Sequence, residues 1–222
     1  MFKSKMRAVV VPQSEHLKLV GVLAFYWGSP QFDPPPLPRL SFVEGIALHD
    51  RGYGYLDTLP IGEAAEADWL EVARRGFDMP ASDPIANIIT RLHLLRLVTS
   101  QATPARRALA EEMALVIDRQ IAGTGLPKRI FERVDRITDF CDSVSYDFCL
   151  ERPARGQVLV YPRNDGAEEV PLQYEIHSGE ITISPWPLNV EEIGGYLTGY
   201  QTDGYPERLE PILLPFDIRK AG

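Results

Sequence analysis

The sequence predicts a mainly α protein with a small antiparallel β extension, an α+β chain whose helices come first. Three observations carry that expectation. Apolar residues recur at helical spacing through the first two thirds, Pro-containing helix-start signals punctuate them, and past Pro153 the pattern changes to short β-branched or aromatic runs bounded by turn residues. Residues 1–152 are therefore expected to form a helical core with a short N-terminal strand, and residues 153–222 a β-rich extension packed on it as part of one structural unit.

In order along the chain, a β-like start from Arg7 to Val11 leads to Ser14, a candidate N-cap for a helix through Trp27 with Val20, Leu23, Ala24 and Trp27 on one face. A Pro-rich loop over 30–38 precedes a helix from about Leu40 to Asp50, which the glycines of Arg51-Gly52-Tyr53-Gly54 end. A shorter helix is expected from Ala64 to Arg75. Ser82-Asp83-Pro84 opens a long helix through Leu97, and Thr103-Pro104 opens another that runs to Ile121 and stops at Gly123. The last helix begins near Pro127 and carries apolar residues at 130, 134, 137, 141, 144 and 148, a seven-residue repeat that marks a buried seam. Four strands follow, at 157–161, 172–176, 180–184 and 195–200, with the N-terminal strand as a candidate further member of their sheet.

Composition bounds the function. The 222 residues, 45% hydrophobic and 24% charged, exclude a disordered or fibrous protein and suffice to bury a core without disulfides. With 23 Lys and Arg against 31 Asp and Glu the formal charge is −8, and no run of Lys or Arg exceeds two residues, so nucleic acid is excluded as the main partner. Cys141 and Cys149 form neither a CxxC pair nor a zinc-finger set, which suits a reducing cytoplasm. The apolar run Ala8-Val9-Val10-Val11 is cut by Pro12, too short for a signal peptide, and no membrane-spanning stretch occurs, so no membrane partner is expected.

Chemistry concentrates in the histidines. Of His16, His49, His93 and His177, the first three fall in predicted helices on or beside the apolar face: His16 in line with Val20, Leu23 and Trp27, His49 with Phe42 and Ile46, and His93 with Ile89 and Leu97. Asp50, next to His49, follows Val43 and Ala47 inward. On the last helix Asp135, Asp139 and Asp142 fall within a ~60° arc that borders the seam. A desolvated carboxylate needs a cation, a hydrogen-bond cluster or a proton. Inward imidazoles and carboxylates on separate helices form a metal constellation, suited to zinc, iron, manganese or nickel. For any one of these histidines, a hydrogen-bonded core role is the plainer alternative.

The order of these residues, an inward His, then a His-Asp pair, then a distant Asp, resembles the HD superfamily of metal-dependent phosphohydrolases. The resemblance implies an HD-domain-like helical core and a divalent ion (Mn, Ni, Zn, Mg or Fe) held by His16, His49, Asp50 and Asp142, with His93 as a further ligand or substrate contact. It also implies hydrolysis of a small phosphorylated molecule or nucleotide, with Asp50 guiding the proton and Arg51 the favoured phosphate-binding cation among Arg51, Arg91 and Arg96. The glycine break after the pair and the scarcity of histidine leave room for a mononuclear or incomplete site. Two alternatives stay open: an HD-fold diiron oxygenase, and a non-catalytic metal- or ligand-binding protein. From Gln13-x-x-His16 through His49-Asp50-x-Gly52, His93, Cys141-Asp142-Ser143 and Pro185-Trp186-Pro187, the chain also resembles a bacterial family of domains of unknown function.

Overall fold

A computed structural model describes residues 1–222. Two short strands, β1 (Phe2–Lys3) and β2 (Val9–Val11), precede six α-helices, α1 (Gln13–Phe25), α2 (Arg39–Ala47), α3 (Glu66–Asp78), α4 (Pro84–Thr99), α5 (Pro104–Thr124) and α6 (Lys128–Cys149), with a short 3-10 helix (Tyr53–Leu56) between α2 and α3. Five strands follow, β3 (Ala154–Val160), β4 (Val170–His177), β5 (Glu180–Ser184), β6 (Glu192–Gln201) and β7 (Pro211–Lys220). No helix is long and apolar enough to cross a membrane.

The start signals of α4 and α5 act as their chemistry dictates. Asp83 accepts from the Ile85 and Ala86 amides at 2.8 and 3.0 Å, Thr103 accepts from Arg106, and Pro84 and Pro104 occupy first-turn positions where an N–H is dispensable. Helix α1 differs from expectation. Ser14 lies inside it, and its first amide, on Gln13, donates to the Asp57 carboxylate at 2.9 Å, so a loop forty-four residues away caps it.

The expectation of a mainly α chain, with the HD-like helical core that the resemblance implied, is corrected by the sheet. Helices make up 44% of the chain and strands 21%, and all seven strands join one mixed sheet, curled into a half-barrel, in place of a small antiparallel extension. The strand order is β1-β2-β6-β7-β5-β4-β3. Every pairing is antiparallel except β5 with β7, where Glu180 to Ile183 run beside Asp217 to Lys220. The sequence pattern hid β7 because prolines stand at 211 and 215. The Asp217 amide points toward β5, donating to Gly179, and N–H groups two apart along a strand point to the same side. The nitrogens of Pro215 and Pro211 therefore face the side where β5 has not yet begun, and no ladder bond is lost along β6.

Two buried clusters result. The larger unites α1 (Leu19, Val20, Leu23), the α6 seam (Val134, Ile137, Cys141, Val144) and the sheet's inner face (Leu172, Ile181, Leu197, Leu214, Ile218), so helical and strand segments share one core. The smaller lies among α3, α4 and α5 around Phe77, Leu94, Met113 and Ile117. Two glycines bring the connecting elements into contact. A Cβ on Gly45 would meet Ile89 Cβ at 2.7 Å, and one on Gly52 would meet Gly76 Cα at 2.7 Å, so α2 crosses α4 closely and the turn after α2 lies against α3.

Candidate metal centre

His49 and Asp50 stand just beyond the end of α2, in the turn that Gly52 presses onto α3; His16 comes from α1, His93 from α4 and Asp142 from α6. Ser145 on α6 donates to the His16 carbonyl at 3.0 Å, tying the two long helices at the site. His16, His49 and His93 are fully buried, while Asp50 and Asp142 open onto a cavity of about 590 Å³.

Hydrogen bonds assign the ring nitrogens. His49 Nδ1 lies 2.9 Å from the Ile46 carbonyl, which can only accept, so in the neutral ring Nδ1 carries the proton and Nε2 presents its lone pair. Arg96, which can only donate, lies 2.9 Å from His93 Nδ1, so His93 holds its proton on Nε2 and donates to Asp50 Oδ1 at 2.9 Å. Gln13 Nε2 donates to the other Asp50 oxygen at 2.6 Å. His16 Nδ1 is buried without a partner.

The His49 lone pair and the two carboxylates converge on His16 Nε2. His16 Nε2 lies 3.3 Å from His49 Nε2, 3.4 Å from Asp142 Oδ1 and 3.8 Å from Asp50 Oδ2; His49 Nε2 lies 3.5 and 3.6 Å from the same two oxygens. All four ligand atoms lie within 4.8 Å of one another. Ligands about 2.0–2.1 Å from a tetrahedral ion are about 3.4 Å apart, so the spacing suits one compact divalent cation in a mixed imidazole and carboxylate shell. The cluster could hold a divalent metal.

The electrostatics agree. Burial works against the charged form of His49, yet Asp50 and Asp142 outweigh it and raise the imidazole pKa. Burial would raise both carboxylates, but His16 and His49 hold Asp142 well below the usual carboxylate range, and His49 and His93 lower Asp50. Burial, aided by the His49 charge, lowers His93. A buried Asp50 and a half-buried Asp142 thus face the cavity with only imidazoles to neutralise them.

The expected phosphate-binding cations lie elsewhere. Arg51 donates to the Gly76 carbonyl and to Asn87, and burial together with Arg91 lowers its pKa to about 10. Arg91 donates to Phe77, and Arg96 is engaged by Asp135, Asp139 and His93. None of the three lines the cavity. The guanidinium in the cavity wall is Arg106, at the start of α5, which sequence reading passed over as half of an Arg-Arg pair. Its only sequence signal is a place two residues after a Pro helix start, and its partners, Glu66 and Trp69, are about forty residues distant. His177 lies on β4, outside the cluster.

No curated protein and no solved structure matches the chain. A family model described as a protein of unknown function, DUF3891, matches residues 2–198, and the chain belongs to that family.

Proposed function

We propose that the protein is a metal-dependent hydrolase of phosphate esters of small molecules. The observation that carries the reading is the convergence of four potential ligand atoms at coordination spacing, two of them on carboxylates that open onto a ligand-sized cavity. His16, His49, Asp50 and Asp142 would hold the ion. A divalent ion there supplies Lewis acidity toward a phosphoryl oxygen and a water more acidic than bulk water.

The remaining work falls to the chain. Gln13 and His93 clamp both oxygens of Asp50 and fix the direction of its free lone pairs, and Arg96 fixes the tautomer of His93 that makes this possible. Asp50, at the cavity floor, guides the proton of the attacking water. The fully buried histidines keep bulk solvent to the cavity side alone. Four donors suit one ion better than two, which ranks hydrolysis ahead of diiron oxygenation.

The test is elemental analysis of protein purified without a metal-affinity step, followed by turnover of aryl phosphate esters. The expected result is one equivalent of manganese, nickel, zinc or magnesium and release of the phenol, which His49→Ala abolishes with the fold intact. Iron with a visible absorption band would favour the oxygenase alternative, and substoichiometric metal would overturn the reading.

A further inference from the structure

The cavity above the cluster has a charge balance and a wall chemistry that constrain what enters. Half of the residues that line it are hydrophobic. Tyr53, Leu56, Trp69 and Leu97 stand in its wall, and at its edge Leu59, Ile61 and Tyr146 are 41%, 39% and 37% exposed, an apolar surface that a bound ligand would cover. The one guanidinium, Arg106, has its central carbon 4.0 Å from the Trp69 ring centroid and is bound in a fork by Glu66, two bonds of 2.7 Å. Its remaining nitrogen turns to the Leu97 carbonyl at 3.4 Å.

The lining therefore has no surplus positive charge. A divalent ion offsets Asp50 and Asp142, Glu66 offsets Arg106, and the ammonium of Met1, which also lines the cavity, is paired with Asp57 at 2.9 Å. A nucleoside triphosphate or other polyanion would meet no counter-charge, and desolvating each additional negative charge in a half-apolar cavity is unfavourable. Among phosphate esters the singly charged one is therefore the least disfavoured, and a planar apolar group that covers Trp69 and the Leu59/Ile61 edge matches the wall.

Resting on the hydrolase reading, we propose that the substrate is a singly charged phosphate diester with an aromatic or similarly flat apolar substituent. Its hydrolysis adds the oxygen of water to phosphorus and breaks one P–O ester bond. One proton of the water ends on the departing alcohol, and the other is lost from the monoester product. That product carries a second negative charge that the lining does not offset, so it leaves more readily than the diester binds.

Calorimetric titration of the full-length, Mn(II)-loaded protein with three phosphate esters, each also followed for hydrolysis, tests this. Diphenyl phosphate matches charge and shape, dimethyl phosphate matches charge alone, and phenyl phosphate keeps a ring but adds a charge. Diphenyl phosphate is expected to bind at least about tenfold more tightly than either, as one buried ring warrants. Trp69→Ala, or Ile61→Ser at the edge should the first fold poorly, retains manganese and reduces diphenyl phosphate to the affinity of dimethyl phosphate. Equal affinity for dimethyl or phenyl phosphate, or no binding of diphenyl phosphate, overturns the proposal. Preferential hydrolysis of phosphate monoesters sinks this inference and leaves the hydrolase reading standing. Selective diphenyl phosphate binding with no ester hydrolysed sinks the hydrolase reading alone.

Discussion

Helix α6 presents two sets of carboxylates to the interior, and they meet opposite fates. Asp135 and Asp139 face Arg96 of α4, with the guanidinium Nε 3.3 Å from Asp135 and Nη1 bonded to Asp139. Less than one turn further on, Asp142 faces the Nε2 atoms of His16 and His49 instead. The first cluster contains its own cation; the second gathers acceptors and leaves the cation to be recruited. Position on the helix is nearly the same, so the difference is made by which side chains the opposing elements supply. Arg96 also joins the two sets, since its third contact is His93, and His93 holds Asp50.

Three substitutions separate these regions. The largest effect belongs to Asp142→Asn, which removes a proposed ligand and should weaken metal binding more than about 100-fold, because outer partners alone are worth 10–100-fold. In the parent protein, metal at about 100 times its dissociation constant should add about 2.7 kcal/mol, a rise of several degrees in Tm. The variant should show no such rise at that concentration; an undiminished rise would mean that the ion sits elsewhere. Next comes Arg96→Leu, which leaves Asp135 and Asp139 facing each other without a partner and should lower stability by about 2 kcal/mol in urea unfolding. Because His93 also loses its orienting donor, metal affinity should fall with it. Lost stability at unchanged metal affinity would break the proposed link between the clusters. The smallest effect is expected from Gln13→Leu, which frees one oxygen of Asp50 and should cost about tenfold in metal affinity with stability nearly unchanged.

Part of the candidate site was legible in the sequence, since a helical period decides which residues face inward and His16, His93 and Asp142 obey it, whereas the expected helix through Asp50 ends at Ala47 and His49 and Asp50 lie in the turn beyond it. The helices were legible for the same local reason, down to the Asp83-Pro84 and Thr103-Pro104 starts. The cap of α1 was not, because Asp57 is remote from Gln13 in sequence. Nor was the place of the cations: Arg51 stands beside the His-Asp pair in sequence, yet the tight Gly52–Gly76 approach directs it to α3, while Arg106 reaches the cavity from a distant helix.

The sheet shows the same division. Alternation marked β3 to β6 because each carries enough of its own pattern, whereas β1 has two residues and β7 is interrupted by proline, so neither announces itself locally. Only pairing makes them strands. By itself the sequence determined the helices, most strands, the inward histidines and an acidic, self-sufficient composition, all consequences of local periodicity and side-chain type. Tertiary structure decided the half-barrel, the parallel β5–β7 pair and the cavity wall. It also decided which inward carboxylates are neutralised by an arginine and which converge with imidazoles, because these depend on contacts between residues that the chain keeps far apart.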